Sequence, residues 1–367
     1  MAVKNLLPLA GAVLLAVSVS ACTSDLSSSN HNELITLVDQ GTFSAGGSVI
    51  EAKETYDPYH PKPEGMTLHG DHASVFYQIP QNARTLPLVF LHGAGQSMRT
   101  WQSTPDGREG LQNIMLKNDY AVYLVDQPRR GDAGRSTVAE NITATPDDQL
   151  WYGQFRMGLY PKRSPNSQFA DGEEALDQFF RQMTPNTGAF DQNVISDAMS
   201  AVFDKISEKG GILVSHSQGG GPGWLTAMKN DKVKAVVSFE PGSNFPFPKG
   251  EAPEPMENNG FFGKVAAMEV SMDDFMKLTK IPIIIYYGDF IPTAPTHDPH
   301  QDFWRCVLKM ARAFADTVNA HGGNARVVHL PEIGIYGNTH FLFSDKNNHE
   351  VAANLLAFLH EEGLDRR

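Results

Sequence analysis

Ser215-His216-Ser217-Gln218-Gly219 stands between an apolar run, Gly211-Ile212-Leu213-Val214, and the small-residue opening of a helix, Gly220-Gly221-Pro222-Gly223-Trp224. A serine with very small residues two places before and two places after it, on a strand-to-helix turn, predicts a nucleophile elbow. The turn is so tight that a larger flanking side chain would collide with the neighbouring backbone. It lifts the Ser217 hydroxyl clear of the sheet and aims a helix N-terminus at whatever the oxygen attacks. The first flank is Ser215, where glycine is usual, and serine is small enough to keep the turn.

Outward from that turn, apolar runs at residues 86–91, 120–125, 212–214, 233–239, 281–287 and 325–330 predict short, buried parallel strands. Residues 41–50 and 72–79 alternate less regularly and predict an antiparallel start to the sheet. Helices are predicted over 108–118, 193–209, 218–229, 303–321 and 349–364. Their apolar residues recur at three- and four-residue spacing, as in Val351, Leu355, Leu356, Phe358 and Leu359. Strands alternating with helices imply parallel crossovers, so the fold class is α/β, with a mostly parallel eight-stranded sheet flanked by helices.

Residues 138–190 and 242–278 break the alternation and predict cap insertions over the strand ends. The first contains Trp151-Tyr152-Gly153-Gln154-Phe155-Arg156, Tyr160, Phe169, Phe179 and Phe180; the second carries Phe245, Phe247, Phe261 and Phe262. Ligands of such sheets bind beyond the carboxyl ends of the strands, beneath insertions of this kind. Trp151, Phe155 and Tyr160 are therefore candidate substrate contacts.

An alcohol is inert at neutral pH unless a base takes its proton, and a third group must hold that base. His340, in the loop Gly334-Ile335-Tyr336-Gly337-Asn338-Thr339-His340 between the last strand and the last helix, is the expected base. Among the other histidines, His92 belongs to a glycine-bearing loop, His216 is expected to point away into the sheet interior, and His329 lies in a strand. His349 and His360 fall on the terminal helix. Two carboxylates compete to hold the base: Glu240 at the end of the sixth strand, followed by Pro241-Gly242, and Asp289 at the end of the seventh. Charge developing on a carbonyl oxygen needs preorganised donors. The expected pair is the backbone N–H of Gln218 and that of Ala94, preferred over Gly95, in His92-Gly93-Ala94-Gly95. Asp126-Gln127-Pro128-Arg129-Arg130-Gly131 is expected to be structural, with Asp126 capping its loop.

Eight strands in this order, with the serine after the fifth, resemble the α/β-hydrolase fold over nearly the whole chain beyond the leader. Ser217-Gln218-Gly219-Gly220, Phe239-Glu240-Pro241-Gly242, Gly337-Asn338-Thr339-His340 and Val125-Asp126-Gln127-Pro128 are similar to the bacterial esterase 713-like branch. That resemblance implies a triad of Ser217, Glu240 and His340, with Asp289 left as a structural carboxylate. It also implies a carboxylic ester hydrolase working through an acyl-enzyme on Ser217. A peptidase or amidase would pass through the same tetrahedral intermediate. A catalytically dead binding protein would keep the fold as scaffold. A dehalogenase would need Asp at position 217.

The first residues read as an address. Lys4, the short apolar stretch 6–19 and Val19-Ser20-Ala21-Cys22 predict a signal peptide over 1–21. The tetrapeptide resembles a bacterial lipobox, in which Cys22 is lipidated. By resemblance to Gram-negative lipoproteins, Thr23 in place of Asp implies the outer membrane. Residues 22–32, Ser-rich and polar, are expected to form a flexible tether, and 33–367 the hydrolase domain. With Cys22 given to lipid, Cys306 has no disulfide partner and is expected in the core. The formal charge of −12 argues against nucleic acid as a partner. His297-Asp298-Pro299-His300-Gln301-Asp302 is expected to be a solvated loop and not a metal site. No dinucleotide or phosphate fingerprint appears, so no cofactor is expected.

Overall fold

The computed structural model describes residues 34–367; the expected leader, Cys22 and tether lie outside the described residues. Eight strands form one sheet: β1 (Leu37–Ala45), β2 (Ala73–Pro80), β3 (Leu88–Leu91), β4 (Val122–Asp126), β5 (Gly211–His216), β6 (Val233–Phe239), β7 (Pro282–Tyr287) and β8 (Asn324–His329). Their spatial order is β1-β2-β4-β3-β5-β6-β7-β8. β2 runs antiparallel to both β1 and β4. Every other neighbouring pair is parallel, so the carboxyl ends from β3 to β8 share one edge.

The expected strand over 41–50 is in fact two elements. Gly46 and Gly47 both take positive φ, at 67° and 85°, and the chain turns out of the sheet between them. A side chain on Gly46 would come within 2.7 Å of the Ala198 backbone. Ser48–Glu51 then pairs with Thr67–Gly70 in a separate antiparallel ribbon.

The helices of seven residues or more are α1 (Leu111–Lys117), α2 (Asp148–Gln154), α3 (Glu173–Arg181), α4 (Gln192–Ile206), α5 (Gly220–Lys229), α6 (Met272–Leu278), α7 (Pro299–Ala320) and α8 (Asn348–Glu361). Central strands are covered on both faces, so alternate residues of one strand feed two cores. Leu213 packs with Met199, Phe203, Trp224 and Phe314 from α4, α5 and α7. Its neighbours Ile212 and Val214 pack with Leu111, Met115, Val351 and Leu355 from α1 and α8. Cys306 is buried in the first core, as expected.

The segment 138–190 contributes α2, a small hairpin of Gly158–Leu159 with Lys162–Arg163, and α3. Tyr152, Phe155, Phe169 and Phe179 extend the second core. In 242–278, Pro246–Pro248 pairs in parallel with Met268–Val270 before α6. The loop expected at 297–302 is a helix start instead. Asp298 accepts the N–H groups of His300 and Gln301 as the N-cap, and Pro299 opens α7. Asp302 is buried and bonded to Arg305 at 2.7 Å.

Candidate active site

β5 ends at His216, and a single 3-10 turn, Ser217–Gly219, leads into α5. Ser217 takes a φ of +53°, a left-handed conformation that a non-glycine residue holds only where its surroundings enforce it. The enforcement is visible in the glycines around it. A side chain on Gly219 would lie 2.6 Å from the His92 carbonyl oxygen, and one on Gly93 2.7 Å from Ser217 Cβ. The elbow and the loop after β3 therefore interlock through bare backbone. Ser215, the departure from glycine, is buried with its Oγ 2.8 Å from Ser238 Oγ on the next strand.

Ser217 and His340 line one cavity of about 320 Å³, together with Ala94 and Gln218. Trp151, Phe155, Phe262, Phe303, Trp304 and Val265 supply its apolar wall. Gly95 is absent from that wall; its Cα faces Met183, whose Cε would lie 2.5 Å from an added Cβ. Tyr160 is the correction, since it was expected as a substrate contact. It sits at the tip of the Gly158–Arg163 hairpin, 53% exposed, with its ring edge-on to Tyr152 and not in the cavity.

The acid side is assembled from distant segments. His340 Nδ1 lies 2.8 Å from Glu240 Oε2, and both side chains are fully buried. Glu240 also takes a positive φ, +51°. Its Oε1 accepts the Gly288 N–H at 2.5 Å. Arg156 completes the set in a two-pronged bond, Nη1 to Oε2 at 2.8 Å and Nη2 to Oε1 at 2.5 Å. Each carboxylate oxygen thus receives two donors, which fills an ionised carboxylate and leaves no room for a proton. Burial pushes the Glu240 acid up, but the Arg156 charge and the His340 bond outweigh it and bring the carboxyl down to about 2.

With Nδ1–H donated to Glu240, the lone pair of His340 sits on Nε2. That atom is buried and has no hydrogen-bond partner among the described residues, Ser217 Oγ included. Burial lowers the imidazole pKa below its usual value, and Glu240 restores part of the loss, so the ring is a neutral base. Three rings hold it in place. Phe155 stacks on it at 5.3 Å and 4°, and Trp304 and His216 lie at 4.5 Å. The Phe155 carbonyl accepts the His340 N–H at 3.0 Å. His216 does not simply point away: its Nε2 lies 3.0 Å from the His340 carbonyl oxygen, and burial keeps the ring neutral.

Asp289 makes no hydrogen bond or ion pair with His340. Its carboxylate accepts the N–H groups of Phe290 at 2.6 Å and Gly337 at 2.8 Å, and its own N–H donates to the Asn338 carbonyl. It anchors the loop that carries His340. Asp345 does the same from the other side, accepting the Thr339 N–H at 2.6 Å and the Thr339 hydroxyl at 2.9 Å. Asp126 caps its loop as expected, taking the Met98 and Asp132 N–H groups.

Sequence reasoning missed Arg156 and Trp304. In the sequence Arg156 is only one residue of an aromatic insertion, yet its guanidinium reaches Glu240, donates Nε to the Asp289 carbonyl at 2.9 Å, and lies 5.0 Å over the Trp304 ring. Trp304 donates Nε1 to the Gln154 carbonyl at 2.7 Å. No local signal marks either residue, because their partners stand far away in the chain.

A bacterial esterase of known structure superposes with a TM-score of 0.71 at 28% identity, covering 90% of this chain and 98% of its own. A protein named probable secreted lipase phiG, from Fungal sp. (strain ATCC 74256), is 26% identical over 324 residues, 77% of this chain and 84% of its own. Residues 88–354 match the alpha/beta hydrolase family. The match runs from β3 past β8, with the elbow, the β6 end and the His340 loop inside it, and the chain belongs to the alpha/beta hydrolase family.

Proposed function

We propose that the protein is a serine carboxylic ester hydrolase with Ser217 as nucleophile, His340 as general base and acid, and Glu240 as the carboxylate that orients His340. One observation carries the reading: a neutral imidazole whose Nδ1–H is held by a saturated carboxylate, with its bare Nε2 buried beside the cavity that Ser217 lines. Apo geometry of this kind tightens when substrate arrives. In the first step Ser217 Oγ attacks the ester carbonyl while His340 Nε2 takes its proton. The oxygen of the tetrahedral intermediate accepts the N–H groups of Ala94 and Gln218, each commonly worth roughly 10²–10³ in rate. His340 then protonates the leaving alcohol, and the acyl group stays on Ser217. Water, deprotonated by His340, attacks the acyl-enzyme and releases the carboxylic acid and Ser217.

The aromatic wall of Trp151, Phe155, Phe262 and Phe303 favours an apolar acyl or alcohol group, and both relatives are named for ester-cleaving activities. The same reading places the protein outside the cytoplasm, carried there by the leader and held by lipid on Cys22, with the outer membrane as its address. Among the described residues no helix is long and apolar enough to cross a membrane. Metabolic palmitate labelling of wild type and Cys22→Ser tests the anchor, and equal labelling overturns it.

A panel of p-nitrophenyl acyl esters of increasing chain length, given to the form starting after Cys22, tests the activity. A fluorophosphonate probe tests the serine. Ester turnover with labelling at Ser217 is expected; a chain that is neither labelled nor active is a scaffold, and the proposal fails.

A further inference from the structure

Arg130 follows β4 in a loop that carries no part of the mechanism above, yet its side chain is only 2% exposed. Its Nη1 donates to the Gly93 carbonyl at 2.7 Å. Nε and Nη2 both reach Asn186 Oδ1, at 2.9 and 2.5 Å, and Nη2 lies 3.3 Å from Gln218 Oε1. The Gly93 oxygen collects two further donors: His92 Nδ1 at 3.1 Å and the Gln96 N–H at 3.3 Å. His92 is suited to donate. Its Nε2 accepts the Gln127 N–H at 3.4 Å, leaving the hydrogen on Nδ1. Burial and the nearby Arg130 charge push its pKa down to about 3, so the ring is neutral.

The consequence lies on the other side of the peptide. In a trans peptide the C=O and N–H bonds point in opposite directions. Pinning the Gly93 oxygen into a buried cluster therefore turns the Ala94 N–H the other way. Ala94 lines the cavity, and its N–H has no acceptor among the described residues. The same guanidinium touches the side chain of Gln218, whose backbone supplies the second donor. We propose that Arg130 is the positioning residue of the oxyanion hole: it sets the direction of the Ala94 N–H through the Gly93 carbonyl and stands as a fixed positive charge behind it. The inference rests on the reading of Ala94 and Gln218 as oxyanion donors.

The experiment compares wild type, Arg130→Gln and Arg130→Lys on a p-nitrophenyl ester and with an alkyl trifluoromethyl ketone. The hemiketal of that ketone with Ser217 places an oxyanion where the transition state does. Arg130→Gln is expected to lose about 10- to 100-fold in kcat, within the range of a weakened oxyanion donor, with KM within about twofold. Ketone affinity is expected to fall by a similar factor. Arg130→Lys keeps the charge but not the fork, and is expected to lie between. A folded Arg130→Gln with wild-type kcat, or one whose kcat falls while ketone affinity holds, overturns the proposal. If Arg130→Gln does not fold, Arg130→Lys decides: parallel losses support the role, and wild-type values of both overturn it. A wild-type protein that neither hydrolyses the ester nor binds the ketone fails at the reading beneath, and takes this inference with it.

Discussion

The two halves of the site are made of different materials. The serine half is backbone: the elbow at Ser217 and the loop at Gly93 interlock because neither Gly219 nor Gly93 has a side chain. The acid half is charge, with Arg156, Glu240 and His340 all fully buried and drawn from three segments far apart in the chain. Backbone geometry is dictated by a few adjacent residues, so that half holds its shape whatever the chemistry does. A buried charge cluster holds only while every partner is present, since an unpaired buried ion costs far more than an exposed one. Substitution should therefore separate catalysis from stability in the first half and couple them in the second.

Ser217→Ala is the sharpest way to break this contrast and carries the largest effect. Removing the nucleophile should cut ester turnover by roughly 10⁵- to 10⁶-fold. Among the described residues the hydroxyl has no hydrogen-bond partner that would hold the fold, so the melting temperature should stay close to wild type. Turnover above a hundredth of wild type in a normally melting protein removes Ser217 from the mechanism.

The same contrast explains what could be read from the chain. The parallel strands, the elbow, the glycine loop after β3 and the late loop carrying His340 are written in short runs: apolar stretches bounded by turns, and small residues at fixed offsets. Asp298-Pro299, a cap followed by a helix-opening proline, is equally legible as the start of α7, although the expectation for 297–302 is a solvated loop. Arg156 and Trp304 had no such signature. A lone arginine in an aromatic segment looks like any surface arginine, and only the fold brings it to Glu240. From the residues alone, Glu240 and Asp289 were equal candidates. The structure distributes them: one meets the imidazole, the other the backbone of the loop that carries it.

The next largest effect tests that division. Glu240→Gln keeps the side-chain volume but removes the charge that holds the imidazole tautomer and balances the imidazolium, so turnover should fall roughly 10³- to 10⁴-fold. Because Arg156 is left without its anion, stability should fall too, unlike in Ser217→Ala. Asp289→Asn should lose far less turnover, with a lower melting temperature from the loosened Gly337 loop. An inactive but normally folded Asp289→Asn would move the acid to the end of β7 and undo the division.

Arg156→Met probes the charge cluster from its other end. Breaking a buried pair by removing one partner costs on the order of 3–5 kcal/mol. That loss should appear as a large fall in melting temperature, with turnover of the folded fraction reduced about 10- to 100-fold as His340 loses its firm carboxylate. Intact stability would mean that Gly288 and His340 alone satisfy Glu240.

A smaller effect is expected in the pH profile. His340 must be neutral to accept the proton, and burial holds its pKa below the ordinary value of 6.5. The acidic limb of kcat/KM should therefore lie below pH 6.5, with the base form surviving as pH falls. Glu240 raises the imidazole pKa, so in Glu240→Gln the residual activity should show a limb at still lower pH. A limb at or above 6.5 in wild type would mean that solvent or a second charge reaches His340.

The smallest effect lies where the two halves meet the substrate. Trp151 is part-buried, stacked on Phe155 at 5.1 Å and 24°, with Phe262 at 6.0 Å, and its Nε1 donates to Asp147 Oδ2 at 2.9 Å. It belongs to the apolar wall and makes no hydrogen bond to the elbow or the charge cluster among the described residues. Trp151→Ala removes a ring from the cavity and should leave the chemistry alone. An apolar pocket discriminates by roughly 1–3 kcal/mol per methylene, so loosening its wall should change the ratio of kcat/KM for long and short acyl chains by about two- to tenfold. Phe155, which stacks on His340 from the same segment, sets the contrast: Phe155→Ala should lower turnover for every chain length alike. If Trp151→Ala leaves the chain-length profile unchanged, the segment only packs, and selection of the acyl group falls to Phe262, Phe303 and Val265, which line the same cavity.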